Sequence, residues 1–84
     1  MNVLVTGASR GIGKEFTRRL SGQGHSVYAT VRKASDIDGE LAQAGVEYLL
    51  CDVTEEADLQ RLADSLSSTS LDLLINNAGI LRDG

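Results

Sequence analysis

A glycine-rich turn directly after an apolar run limits the folds that are open to this chain. Residues 3–13 read Val-Leu-Val-Thr-Gly-Ala-Ser-Arg-Gly-Ile-Gly, and a helical pattern follows them. Gly7 permits a tight exit from a strand, Gly11 lets the backbone approach a ligand, and Gly13 lets a helix pack closely on a sheet. Such a turn gathers backbone N–H groups at a helix N-terminus, which suits a phosphate. The Ser9 hydroxyl can donate to the same anion.

The spacing of these glycines separates the turn from two common phosphate-binding motifs. It is Gly-x-x-x-Gly-x-Gly, whereas the most frequent dinucleotide motif is Gly-x-Gly-x-x-Gly. A Walker A motif is excluded, because Glu15 stands where that motif needs Ser or Thr and Ala8 where it needs Gly. The alternative is a structural strand-to-helix turn without a ligand, since glycine-rich turns also occur for structural reasons.

Short apolar runs alternate with helical patterns along the chain, which predicts an α/β fold. Right-handed crossovers would then give a partial Rossmann fold: a four-stranded parallel sheet in the order 3-2-1-4 with helices on both faces. A ligand crevice is expected at the carboxyl ends of the strands, between the first and the fourth. The predicted strands are 2–6, 26–31, 46–51 and 71–75, and the predicted helices are 10–21, 35–43 and a third that begins after Thr54.

The helical patterns also predict which side chains face the sheet. Ile12, Phe16 and Leu20 recur at i, i+4 and i+8 and are expected to form the inner face of the first helix. In the third helix, Thr54 is expected to be the N-cap. The apolar stripe of that helix is Leu59, Leu62, Ala63 and Leu66.

Two cations, Arg32 and Lys33, end the second predicted strand about 20 residues beyond the turn. A cofactor without a 2′-phosphate usually meets Asp or Glu here, whereas this chain has Val31 followed by the two cations. A guanidinium grips a phosphate through two parallel hydrogen bonds, and Arg10 can reach the same place from the turn. The pattern therefore favours NADP over NAD. The alternative is that Arg32 and Lys33 are solvated charges at a strand end.

Two further motifs follow the third and fourth predicted strands. The Asp52 carboxylate can accept from an adenine amino group while the Val53 backbone meets a ring nitrogen; alternatively, Asp52 begins a capping box for the next helix. Asn77 can brace neighbouring strand ends, and Ala78 and Gly79 let the backbone pass close to a ribose and nicotinamide. By itself, the second motif is better explained as a polar turn after an apolar strand.

Composition argues against several other functions. The net charge of −4 and the three aromatic residues predict no nucleic-acid partner. No apolar run is long enough for a membrane span, and neither a signal peptide nor a metal site is expected. The single cysteine, Cys51, cannot form an internal disulfide and fits a reducing cytoplasm. We expect Cys51 to be a small buried side chain and His25 to have no metal-binding role.

Taken together, these motifs resemble the short-chain dehydrogenase/reductase family. Residues 6–13 match its cofactor motif at every position, and residues 52–53 and 76–79 match the next two motifs. The resemblance implies hydride transfer between NADP(H) and a carbonyl or alcohol. Its implied cofactor-binding residues are Gly7, Ser9, Arg10, Gly11, Ile12, Gly13, Arg32, Asp52, Val53, Asn77, Ala78 and Gly79.

The family's catalytic Ser, Tyr-x-x-x-Lys and Asn have no counterpart in these 84 residues. We therefore expect residues 1–84 to form a single truncated dinucleotide-binding domain that lacks catalytic activity alone. A stand-alone nucleotide-binding or regulatory module is the alternative. An open edge on strand four, Leu71–Ile75, also predicts pairing with a second copy into a homodimer.

Overall fold

Four parallel strands form one sheet in the order β3-β2-β1-β4, as the sequence predicts. A computed structural model of the chain describes residues 1–9 and 11–76, with only the backbone of Asn76. The elements are β1 (Asn2–Thr6), α1 (Gly11–Gly22), β2 (Ser26–Val31), a 3-10 turn (Ala34–Asp36), α2 (Gly39–Gln43), β3 (Glu47–Leu50), α3 (Glu56–Ser65) and β4 (Leu73–Asn76).

The strand order places helices on both faces of the sheet. The chain moves outward from β1 to β3 and then crosses back to β4 on the far side of β1. Right-handed crossovers in opposite directions put their helices on opposite faces. α1 and α2 therefore lie on one face and α3 on the other, in agreement with the predicted doubly wound architecture.

The core is centred on β1 and β2. Val3 aligns with Val27 and Val5 with Ala29 in the parallel register, and all four side chains are buried. Leu4 is buried as well, so β1 is covered on both faces, as expected for a central parallel strand. Other buried apolar residues are Ala8, Val31, Leu41, Val46 and Cys51.

The prediction of which side chains of α1 face the sheet is wrong for Ile12 and Phe16. Ile12 is 64% exposed and Phe16 is 41% exposed, while Gly13 and Thr17 are buried. Leu20 does pack against the core, as predicted. Small residues let the helix lie close to β1 and β2, and the Thr17 hydroxyl is satisfied because it donates to the Gly13 carbonyl at 2.8 Å. With Gly13 and Thr17 at the contact, the larger side chains of Ile12 and Phe16 lie exposed on the helix.

The single helix predicted for 35–43 is divided into the 3-10 turn and α2. Ile37 is extended between them, and Asp38 caps α2 by accepting from the N–H groups of Glu40 and Leu41. These N–H groups lower the pKa of Asp38, with that of Leu41 having the largest effect and Lys14 adding to it. Leu41 of α2 is buried in the core, whereas Ala42 is exposed.

The third helix and fourth strand begin later than the sequence predicts. Glu55, and not Thr54, is the N-cap residue of α3. None of the residues of α3 is fully buried, and its predicted inward residue Leu59 is 42% exposed. β4 begins at Leu73 instead of Leu71 and pairs with β1, where Val5 aligns with Ile75. Both elements are therefore attached to the core less completely than β1 and β2.

Within residues 1–9 and 11–76, no helix is long and apolar enough to cross a membrane.

Candidate functional site

Three predicted site segments meet at the carboxyl edge of the sheet. After β1, the Gly7 N–H donates to the Thr30 hydroxyl oxygen at 3.2 Å, and the Ala8 N–H donates to the Thr30 carbonyl at 2.9 Å. After β3, the Cys51 N–H donates to the Val31 carbonyl at 2.9 Å. The end of β2 is therefore bonded to the glycine turn on one side and to the loop before Asp52 on the other.

The glycine turn has the backbone geometry that the sequence requires. Gly7 and Gly11 have φ values of +66° and +64°, a region that costs an L-residue with a side chain about 1–2 kcal/mol. A Cβ added at Gly11 would meet no heavy atom of the described residues within 4 Å. Gly11 therefore leaves room beside the first turn of α1, where the N–H groups of a helix start attract a phosphate.

The side chains around the turn differ in burial. Ala8 is buried in the core and fixes the turn to the sheet, while Ser9 is half-buried. Ile12 is exposed at the start of α1 and offers an apolar surface next to the helix N-terminus. Gly13 is buried, which agrees with close packing of the helix on the sheet. The turn is therefore attached to the sheet at the buried Ala8 and Gly13, while Ile12 is exposed.

Arg32 is exposed at the end of β2, and so is Lys33. The four ion pairs recorded among the described residues involve neither of them. Asp38, which could have neutralised this charge, is 3.4 Å from Lys14 and caps α2. The positive charge of Arg32 is consequently available on the edge that carries the glycine turn.

Asp52 lies in a tight loop after β3. Its carboxylate oxygen Oδ1 accepts from the Thr54 N–H at 3.0 Å and from the Thr54 hydroxyl at 2.6 Å. These bonds lower the pKa of Asp52, and the charge of Arg32 lowers it further. Asp52 is therefore ionised at neutral pH and shares its electrostatic environment with Arg32. The capping-box alternative is wrong, because the N-cap position of α3 is Glu55, whose side chain makes no capping hydrogen bond, and the Asp52 N–H is bonded by Asp58 instead of Glu55.

The backbone of this loop is held by α3. The Asp52 N–H donates to the Asp58 carboxylate at 2.8 Å, and Asp58 also bonds Arg61. Val53 is half-buried within the same loop. Asp58 thus holds the backbone of Asp52, one of the two residues predicted to contact adenine.

Cys51 is buried at the end of β3, as predicted. Burial raises the pKa of its thiol, and the charges of Asp58 and Asp52 raise it further. Because only the thiolate is a good nucleophile, Cys51 is an unreactive packing residue at neutral pH.

No cluster of three or more metal-ligating side chains occurs in the part of the chain that is described.

A cavity of about 290 Å³ lies away from this edge, at the amino ends of β2 and β3. His25, Ser26, Tyr28 and Glu47 help to line it, and none of the predicted site residues does. The α-amino group of Met1 contacts His25 Nδ1 at 3.2 Å nearby. The predicted ligand edge therefore does not coincide with this cavity.

Sequence reasoning missed two residues at the candidate site. Thr30 has no motif of its own, because a threonine near the end of a β-strand is common and does not reveal where its hydroxyl points. Asp58 lies in the first turn of α3, and no motif indicates that its carboxylate accepts from the backbone of the preceding loop. Four predicted site residues lie outside the described residues: Arg10, Asn77, Ala78 and Gly79.

Comparison with known proteins identifies relatives along the whole sequence. A 3-ketodihydrosphingosine reductase of Bacteroides thetaiotaomicron is 41% identical over 80 residues, which are 93% of this chain and 28% of the relative. The NADP-dependent 3-hydroxy acid dehydrogenase YdfG of Shigella flexneri is 37% identical over 84 residues, covering 95% of this chain and 34% of YdfG. This chain spans about a third of the length of such curated relatives.

A solved structure supports the same relationship. Pseudomonas aeruginosa RhlG, in an active-site complex with NADP, superimposes with a TM-score of 0.78 and 36% sequence identity. The match covers 92% of this chain and 34% of RhlG. The family model described as short chain dehydrogenase matches residues 1–84. The chain belongs to the short-chain dehydrogenase family.

Proposed function

We propose that residues 1–84 are the N-terminal, NADP(H)-binding portion of a short-chain reductase. The whole protein would transfer a hydride between NADP(H) and a carbonyl or alcohol substrate. The observation that carries this proposal is the exposed Arg32 on the edge that also holds the glycine turn. In this proposal residues 1–84 are one truncated dinucleotide-binding domain, and the parts of the fold that hold a substrate are supplied by other residues.

The described residues fit an NADP molecule from its phosphates outward. The open space at Gly11 and the N–H groups at the start of α1 suit the pyrophosphate. Ser9 would add a hydroxyl donor there, while Ile12 and Gly13 complete the helix start. Arg32, assisted by Arg10, would bind the 2′-phosphate through its guanidinium. The nicotinamide of the bound cofactor supplies the hydride chemistry.

The adenine and nicotinamide ends are assigned to the two remaining motifs. Asp52 would accept from the adenine amino group and the Val53 backbone would meet a ring nitrogen. The hydrogen bonds from Thr54 hold the Asp52 carboxylate in one orientation, which supports this role. Asn77, Ala78 and Gly79 would lie beside the ribose and nicotinamide.

The names of the relatives agree with this choice of cofactor. The family uses NAD or NADP, YdfG is described as NADP-dependent, and the RhlG structure is described as an NADP complex. The chain itself has Arg32 directly after Val31, which stands where a carboxylate would favour NAD. We therefore propose NADP(H) as the preferred cofactor.

Binding experiments with Arg32→Gln test the proposal. Calorimetric titration of the unsubstituted chain should show tighter binding of NADP⁺ than of NAD⁺. Removing the guanidinium should weaken NADP⁺ binding about tenfold or more, because charge-assisted hydrogen bonds are worth roughly 1.5–3 kcal/mol. NAD⁺ binding should be unaffected.

Arg18→Gln is the matched control, because Arg18 is an exposed cation paired with Glu15 on α1. It should leave both affinities unchanged. Equal weakening by the two substitutions would indicate a general charge effect and would contradict the assignment of Arg32. Failure of the unsubstituted chain to bind either dinucleotide would contradict the proposed function itself.

We further propose that this chain alone does not catalyse hydride transfer, because it contains no counterpart of the family's Tyr-x-x-x-Lys pair. Incubation with NADPH and a reducible ketone should leave the 340 nm absorbance of NADPH unchanged. Steady NADPH consumption by the pure chain would overturn this statement.

A cytoplasmic location is also part of the proposal and rests on the single, buried cysteine.

Self-association is the last element of the proposal, with a second copy of this chain as the partner. β4 is an edge strand of the described sheet, and its exposed Leu73 and Leu74, with the exposed Leu71 just before it, give this edge an apolar character. An apolar edge strand is a template for strand pairing with another chain. A two-fold dimer would pair the segments 71–75 of two copies and cover these leucines.

A further inference from the structure

Thr30 is a buried polar residue that the motifs do not account for. It is the penultimate residue of β2 and only 1% of its surface is exposed. Its hydroxyl oxygen lies 3.2 Å from the Gly7 nitrogen, and its carbonyl oxygen lies 2.9 Å from the Ala8 nitrogen. A single residue of β2 therefore accepts hydrogen bonds from two consecutive N–H groups of the glycine turn.

These bonds occur where the chain leaves β1. With φ at +66°, Gly7 departs from strand geometry, so the regular ladder to β2 cannot continue through it. The side chain of Thr30 supplies an acceptor at that point, and the main chain of the same residue supplies the next. Buried amide groups that lose an acceptor are costly, so this arrangement favours one conformation of the turn.

The position of Thr30 also relates the turn to the cation that follows β2. Arg32 is two residues further along the chain, and Val31 between them is buried and bonded to the Cys51 N–H. The end of β2 is thus fixed on both sides. The end of β2 that leads to Arg32 is therefore bonded to Gly7 and Ala8 of the glycine turn.

We propose that Thr30 is a positioning residue for dinucleotide binding: its hydroxyl holds the glycine turn in the conformation that presents the helix N-terminus to the pyrophosphate. This inference rests on the proposed function, because it concerns the same site. It adds that binding depends on a side chain buried behind the turn. Since the pyrophosphate is common to both cofactors, Thr30 acts on NADP⁺ and NAD⁺ alike, whereas Arg32 discriminates between them.

The test uses Thr30→Val, which keeps the shape of the side chain and removes the hydroxyl. Calorimetric titration of the whole 84-residue chain should show NADP⁺ and NAD⁺ binding weakened by about fivefold each, the size expected for one hydrogen bond. The ratio of the two affinities should stay the same. Thr30→Ser restores the acceptor and should bind both dinucleotides within about twofold of the unsubstituted chain.

Thr17→Val is the matched control. Thr17 is also buried, and its hydroxyl also bonds a backbone group, but that group is the Gly13 carbonyl inside α1. The control should lower the urea midpoint of unfolding as Thr30→Val does, while leaving both affinities within about twofold. This separates positioning of the turn from general destabilisation. If Thr30→Val does not fold, Thr30→Cys fills the same space with a weak acceptor and should weaken both affinities.

The outcomes distinguish this inference from the proposed function. Normal dinucleotide binding by folded Thr30→Val, or by folded Thr30→Cys in its place, would overturn the role of Thr30 and leave the proposed function standing. Failure of Thr30→Ser to restore binding would also overturn it. Absence of binding by the unsubstituted chain would overturn the proposed function and, with it, the inference.

Discussion

Two groups of elements differ in how completely they are buried. In the first group, β1 and β2 contain Val3, Val5 and Ala29, none of which has any exposed surface. In the second group, α3 has no buried residue, and Leu74 of β4 is 57% exposed. The first group pairs on both edges and is covered on both faces, whereas β4 pairs only with β1 among the described strands.

The parts of the candidate site also differ in the burial of the elements that carry them. The glycine turn follows β1 and Arg32 follows β2, and Ala8 and Thr30 anchor the turn to these two buried strands. The loop with Asp52 depends on α3, through Asp58. The elements proposed to bind phosphate therefore rest on the most completely buried part of the described structure. The elements assigned to adenine rest on a helix that packs less tightly.

The largest effect should come from comparing Val5→Ala with Leu74→Ala. Val5 is fully buried, so the smaller side chain leaves a cavity and should lower the free energy of unfolding by about 2–3 kcal/mol. Leu74→Ala removes a larger but mostly exposed side chain and should cost less than about 0.5 kcal/mol. Urea unfolding followed by circular dichroism, at low protein concentration, measures both. Equal losses would show that β4 contributes as much to stability as β1.

The sheet order could be predicted from the sequence because it follows from few facts. Four apolar runs separated by helical patterns, together with right-handed crossovers, leave the order 3-2-1-4 as the doubly wound solution. The carboxyl ends of the strands then lie on one edge, which is where the structure places the glycine turn, Arg32 and Asp52.

The inner face of α1 could not be predicted in the same way. Periodicity assigns the largest apolar side chains to the core, but Gly13 and Thr17 allow a closer approach of the helix to the sheet. Hydropathy does not describe this advantage, because it depends on the distance between two backbones. Thr30 was missed for a related reason: its role comes from a bond to Gly7, 23 residues earlier in the chain.

The next largest effect is expected at the open edge of β4. If two copies pair there, sedimentation equilibrium should detect a dimer, and Leu74→Lys should convert it to a monomer by placing like charges near the two-fold axis. Leu59→Lys is the matched control, because Leu59 is a similarly exposed leucine on α3. It should leave the dimer intact. A monomer at high concentration for the unsubstituted chain would rule out the pairing.

The smallest effect should be the pH dependence that Asp52 contributes. Its pKa is lowered in the folded chain by the Thr54 hydroxyl and N–H and by Arg32, so its carboxylate stabilises the fold above the unfolded-state pKa. That stabilisation is lost as the pH falls through the folded-state value. Asp52→Asn should therefore lower the urea midpoint slightly at neutral pH, and the difference from the unsubstituted chain should vanish between about pH 5 and pH 2. Midpoints recorded across this range measure it. A difference that does not change with pH would mean that the loop depends on the shape of Asp52 and not on its charge.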